Sequence, residues 1–187
     1  MSDNHYLNNH FLIAMPALDD PNFFHSVTYI CEHNEQGAMG IVINNPLDIS
    51  ISDVLTHMDM SVNDQMLSKN PVYFGGPVQP DRGFVIHEPI GQWDSMLEIT
   101  DSIGLTTSRD ILEAINHGEG PQRSLVALGY AGWGEGQLEH ELLENAWLTC
   151  PADSAIIFDT PIEDRWTAAA TSLGIDINTL SGNFGHA

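Results

Sequence analysis

The sequence predicts an α+β fold: one compact domain of mostly antiparallel sheet with about four helices packed on it. Two observations carry this. Apolar, β-branched runs separated by hairpin-length turns dominate the first half, and helical patterns enter later, so strands and helices do not alternate as a doubly wound sheet requires. No repeat, low-complexity tract or linker divides the chain, so residues 1–187 read as one unit with a loose polar tail at 1–9.

Residues 11–15 (FLIAM) form a short apolar run suited to a buried strand, which Pro16 ends. Residues 18–25 read as a turn or short helix pinned by the Phe23-Phe24 pair. Residues 26–32 (SVTYICE) and 38–44 (AMGIVIN) flank a turn at 34–37 (NEQG) and predict a β-hairpin, which Asn45-Pro46 stops. Residues 52–57 predict a short helix, with Ser52 as cap, Asp53 at the positive end, and Val54 and Leu55 inward. Residues 59–70 are polar and irregular. Strands are expected at 72–74 and 83–87, joined by a long turn, GGPVQPDR. Two more, at 96–100 and 103–106, surround Asp101-Ser102. Ser108 opens a helix with Ile111, Leu112 and Ile115 on one face, and Gly118 closes it.

The chain is organised around residues 124–147. They read as a buried strand (124–130), a glycine-rich turn carrying Trp133, and an amphipathic helix (137–146) with Leu138, Leu142 and Ala146 facing inward beside Leu143. The other glycine-rich stretch, 72–87, reads as its counterpart across the core. Residues 155–158 (AIIF) suit a last strand. Thr160-Pro161-Ile162-Glu163 predicts the last helix start, with Thr160 as cap and Glu163 completing a capping box. Ile162, Trp166, Ala169, Ala170 and Leu173 form its apolar stripe, and Gly174 ends it.

Charge excludes more than it suggests. Twenty-six Asp and Glu face one lysine (Lys69) and four arginines (Arg82, Arg109, Arg123, Arg165), a formal charge of −21. Such a surface repels nucleic acid and anionic membranes, so neither is an expected partner. Cys31 and Cys150 follow apolar runs and read as reduced, buried thiols. The N-terminal stretch has no basic region and only a five-residue apolar run, so it reads as neither secretory signal nor membrane span; the cytoplasm is the default location.

Nucleotide, hydrolase and metalloprotease motifs are missing. Gly129, Gly132, Gly134 and Gly136 fit no dinucleotide fingerprint, and Glu135 and Glu139 would repel a phosphate there; the glycines suit a tight turn and close packing instead. Arg82 could hold a ligand carboxylate, but with so many acids available a local Asp or Glu is the favoured partner. His33, His87 and His140 each adjoin a glutamate, yet no spacing makes a ligand set, so no metal and no cofactor is expected. Trp133 is read as a core plug ahead of an exposed anchor.

The segments FLIAMPALDDPNF, SVTYICEHNEQGAMGIVIN, PVYFGGPVQPDRGFVIH, ALGYAGWGEGQLEHELLENAWL and the closing GHA resemble the YqgE/AlgH family of bacterial proteins, in one register over nearly the whole chain. The resemblance implies strongly curved, branching sheets with a few helices. It brings no catalytic residues. One branch of the family carries a legacy label as a transcriptional regulator of polysaccharide production, which the charge of this chain and its lack of a DNA-binding motif disfavour. The leading expectation is a non-catalytic binding or regulatory module acting through a protein partner with a basic patch. The alternative is a small-ligand binder or enzyme with a non-standard pocket at the two glycine-rich turns. The candidate surface for either comprises Gly75, Gly76, Arg82, His87, Trp133 and Glu135. A homo-oligomer would follow if apolar strands lie at a sheet edge.

Overall fold

The computed structural model describes residues 6–15, 25–62, 67 and 69–174. The stop at Pro16 and the turn around Phe23-Phe24 lie outside these residues, as do residues 1–5 of the tail. Ten strands and five α-helices follow in the order β1 (His10–Ala14), β2 (Val27–Asn34), β3 (Gly37–Val42), β4 (Pro46–Ser50), α1 (Ile51–His57), β5 (Pro71–Phe74), β6 (Val78–Glu88), β7 (Met96–Glu98), β8 (Gly104–Thr106), α2 (Arg109–Asn116), β9 (Arg123–Trp133), α3 (Gln137–Leu143), β10 (Trp147–Pro151), α4 (Ser154–Phe158) and α5 (Arg165–Thr171). A 3₁₀ turn, Ile162–Asp164, leads into α5. No helix among the described residues is long and apolar enough to cross a membrane.

The strands join in the order β10-β1-β2-β3-β9-β6-β8-β7, all antiparallel along this path. The sheet branches at β9. Its C-terminal end pairs with β3 through Ala131 and Trp133, while β5 runs parallel to it at Ala127 and Leu128 and carries β4 on its far side. Along its other edge β9 pairs with β6 from Val78 to Glu88. The two glycine-rich stretches are therefore neighbours in one sheet, not counterparts across the core.

Strand periodicity sorts the apolar side chains to two faces. Phe84, Ile86, Leu125 and Ala127 join Phe11, Tyr29 and Ile41 in the main core, which Ile156 and Ile157 of α4 and Ala169 of α5 close. Val85 and Val126 face the other way and pack under Val54 and Leu55 of α1 and Ile111 and Leu112 of α2. A third cluster sets Trp133 and Trp147 edge to face around Leu138, with ring centroids 6.1 Å apart.

The hairpin β2–β3, the strands β7 and β8, and helices α1 and α2 form where the pattern predicts. Other elements differ, each for a local reason. Ser50, not Ser52, caps α1: its hydroxyl accepts from the Asp53 N–H, and the Asp53 carboxylate accepts from the Ser50 N–H, a full capping box. Asn145 takes a left-handed backbone (φ 59°), which ends α3 early and sends residues 147–151 into β10 beside β1. Leu143 is left 83% exposed on the outer side of α3. Residues 155–158 are helical rather than extended, because the Asp153 side chain accepts from the Ala155 N–H and so starts a turn that buries Ile156 and Ile157 together. Thr160 caps nothing; its hydroxyl donates back to the Ala155 carbonyl.

Candidate functional site

The feature that shapes the surface is a break in the β6–β9 ladder. Val78 faces Tyr130, and the next partners are Gly83 and Leu128, so four residues of β6, 79–82, loop out where β9 contributes one. The expected long turn, GGPVQPDR, is thus a tight corner followed by a wide bulge inside a strand. Glycine makes it possible. A Cβ on Gly129 (φ 77°) would stand 2.3 Å from the Gly76 carbonyl oxygen and 3.1 Å from Pro80 Cα. A Cβ on Gly76 (φ 157°) would stand 2.1 Å from the Tyr130 carbonyl carbon, and one on Gly75 would stand 2.4 Å from the Gly129 oxygen. Gly75 and Gly76 are buried and serve backbone packing, not a ligand surface. Gln79 pays for the bulge with a left-handed backbone (φ 48°).

The bulge carries Arg82 to the crest between two concavities. On one side lies an open groove of about 900 Å³, floored by Met39, Phe84, Leu97, Leu105 and Tyr130 and bounded by Trp133. On the other lies an apolar cleft of about 600 Å³ between α1, α2 and the sheet, lined by Val54, Val85, Leu112 and Val126. Arg82 and Thr107 line both. The Arg82 guanidinium sits 5.7 Å from the Phe84 ring centroid and makes long hydrogen bonds, 3.4 Å each, to Gln79 Oε1 and Thr107 Oγ1. Among the described residues it forms no ion pair, so the acidic partner expected for it is not there: the guanidinium stands over an aromatic ring instead, although Glu32 lines the same groove and Asp53 and Asp81 line the cleft.

The other candidates do not join it. His87 is fully buried. Its Nδ1–H donates to the Pro89 carbonyl at 3.1 Å and its Nε2 accepts from the Thr106 hydroxyl at 2.7 Å, a neutral tautomer. Burial lowers its pKa from the ordinary 6.5, with the Pro89 hydrogen bond opposing. A hydroxyl on an imidazole begins a nucleophile–base pair, but Thr106 is as buried as His87, so a substrate does not reach this oxygen. Trp133 is 6% exposed and is a core residue whose edge also bounds the groove. Its indole N–H donates to Glu141 Oε1 at 3.0 Å, an oxygen that the Trp147 indole shares at 2.9 Å. Glu135 is exposed at the turn before α3 and lines neither concavity.

The histidine–glutamate neighbours do not assemble a metal centre: among the described residues no three His, Cys, Asp or Glu side chains gather at one point. His33 instead accepts from the Leu7 N–H at its Nδ1 and contacts Glu139 through its Nε2. Cys31 and Cys150 are free and buried, and burial raises both thiols above their ordinary value, the opposite of an activated nucleophile. The groove floor was missed in the sequence. Phe84 and Tyr130 are strand residues whose alternation marks a shared face, but no local signal says that Met39 and Leu97 close on them.

Fold and concavities together define a compact α+β domain on a curled, branching, mostly antiparallel sheet, with a groove opened by a bulge. The AlgH-like family pattern matches residues 11–178, and the chain belongs to that family. It is 59% identical over 187 residues to a UPF0301 protein of Thioalkalivibrio sulfidiphilus, covering all of both chains. It is 58% identical over 182 residues to one of Nitrosococcus oceani, covering 97% of each. The solution structure of the AlgH protein from Pseudomonas aeruginosa matches with a TM-score of 0.82 and 50% identity, over 100% of this chain and 99% of that one. A crystal structure of a Corynebacterium diphtheriae protein shares the fold at 19% identity, with a TM-score of 0.77 over 97% of this chain and 94% of that one.

Proposed function

We propose that this chain is a non-catalytic binding module that takes an extended segment of a partner protein into the open groove, with Arg82 holding a carboxylate of that segment. The observation that carries the reading is the bulge at 79–82. It interrupts the longest strand pair, holds a non-glycine residue in a left-handed conformation, and delivers one of only five Lys and Arg side chains to the crest of an aromatic-floored groove, where it forms no ion pair among the described residues even though Glu32 lines the same groove. A guanidinium steadied over a ring has little rotamer freedom left to lose and presents its fork to a carboxylate. Met39, Leu97 and Tyr130, all half-buried, supply apolar seats along the floor.

The partner segment therefore carries an acidic residue for Arg82, apolar residues for the floor, and lysine or arginine outside the groove, where the net charge of −21 draws it in. Two reduced, buried thiols fit a cytoplasmic setting. Direct DNA contact is disfavoured by the same charge. The test is a displayed peptide library panned against the full chain and against Arg82→Ala. The expected result is a shared motif of an acid beside apolar residues with basic flanks, whose affinity falls about tenfold or more in the variant and weakens as salt rises. A selection without a common motif, or a motif indifferent to Arg82, sinks the reading.

A further inference from the structure

Arg165 is a buried charge without a counter-charge among the described residues. It is 5% exposed at the start of α5. Its Nε donates to the Thr160 carbonyl at 3.0 Å, its Nη1 donates to the Ile43 carbonyl, and its Cζ lies 5.2 Å from the Tyr73 ring centroid. All three partners are neutral. Its Nη2 donates to no described residue, and it forms no ion pair among the described residues. With 26 acids in the chain, a guanidinium taken out of water and left unmatched is a costly arrangement, because removing the solvent without supplying an opposite charge forfeits the compensation that a buried ion needs.

The side chain lines a polar pocket of about 400 Å³, distinct from the groove and sharing no lining residue with it. A second cation, Arg123, stands in the same wall, held by Asp159 at 3.0 Å and Glu88 at 3.5 Å, with its side chain 40% exposed. Ser124, Gln122 and Asn70 add neutral donors. Two of the five basic residues of a strongly acidic chain thus face one small cavity, and the more deeply buried of them lacks an anion.

The geometry points to a binding site for a small organic phosphate, whose phosphoryl group lies between Arg165 and Arg123. The Arg165 Nη2, the Arg123 guanidinium once released by Glu88 and Asp159, and the hydroxyl and amide donors among the lining residues offer several separate hydrogen bonds, which suits a tetrahedral oxyanion better than a planar one. The volume stands at the small end for ligand pockets, room for a phosphate monoester with a compact body. Phe158, half-buried in the same wall, gives that body something to pack on. Asp159 opposes the anion: it repels the phosphoryl group and competes for Arg123. The site stands on its own observations and does not depend on the groove.

The test is an NMR titration of the full chain at constant ionic strength with phenyl phosphate, inorganic phosphate and benzoate, paired with thermal unfolding. Phenyl phosphate is expected to give saturable shifts confined to residues around Arg123, Ser124 and Arg165, to raise Tm, and to bind at least about tenfold more tightly than benzoate. Arg123→Gln, at a half-exposed position whose folding the same unfolding curves check, is expected to weaken binding about tenfold, and Asp159→Asn to tighten it. A merely structural Arg165 predicts neither response. Shifts scattered over the surface, equal binding of benzoate, binding of inorganic phosphate as tight as that of the ester, or affinity unchanged by Arg123→Gln would each overturn the assignment.

Discussion

At the scale of single residues, the glycines are the most restrictive positions. Gly76 has no room for a side chain, since its Cβ would overlap the backbone of Tyr130. Gly76→Ala is expected to cost about 3 kcal/mol, from overpacking plus a disfavoured backbone, read as a lower midpoint in urea. His87 supplies a pH-dependent contribution. Its folded pKa is lowered from 6.5, so as pH falls through that value the unfolded chain takes up a proton that the folded chain refuses. The unfolded state then binds more protons and stability drops as the pH is lowered. His87→Asn should flatten the acid limb that begins as the pH falls through about 6.5, whatever it does to stability at neutral pH. The sequence made part of this legible. It marked Gly129 as a packing position and the cysteines as buried thiols, but set Gly75 and Gly76 on a ligand or partner surface, where the structure has them buried against the backbone of β9. It did not reveal that Arg82 forms no ion pair among the described residues, because the bulge that carries it is built against Gly129, far along the chain.

Among the elements, α4 shows where a short apolar run misleads. Four residues, AIIF, fit a strand or a helical turn equally well, and the deciding signal is the Asp153 cap outside the run. Asp153→Ala is expected to destabilise the chain by about 1 kcal/mol and Asp153→Asn far less, measured by chemical unfolding. β10 was hidden for a related reason. Ala146 extends the four-residue spacing of Leu138 and Leu142, so the helical pattern runs on past Asn145, whose left-handed backbone ends the helix in fact. The hairpin β2–β3 was plain because both its strands and its turn are local. β4 was not: it is a short strand on a side branch, paired with β5 alone, with Pro46 at its start.

For the whole molecule, charge is the dominant physical fact. Twenty-one net negative charges repel one another in the compact state, so added salt should raise Tm by several degrees before levelling off, a shift visible by calorimetry. The α+β class was legible from hairpins first and helices later, and the curled, branching sheet came with the family resemblance. The groove was not legible, because its floor draws on β3, β6, β7, β8 and β9, and only closure of the sheet brings Met39, Phe84, Leu97, Leu105 and Tyr130 together. The central claim is that Arg82 in this groove holds a carboxylate of a partner segment, and a charge-swap cycle tests it most directly. The affinity of a selected peptide would be measured for the chain and for Arg82→Glu, each with the peptide's acid intact and with that acid replaced by lysine. The account predicts that either single change weakens binding and that the double change restores much of it, a coupling of about 1.5 kcal/mol or more. Losses that simply add, with no rescue, would contradict it.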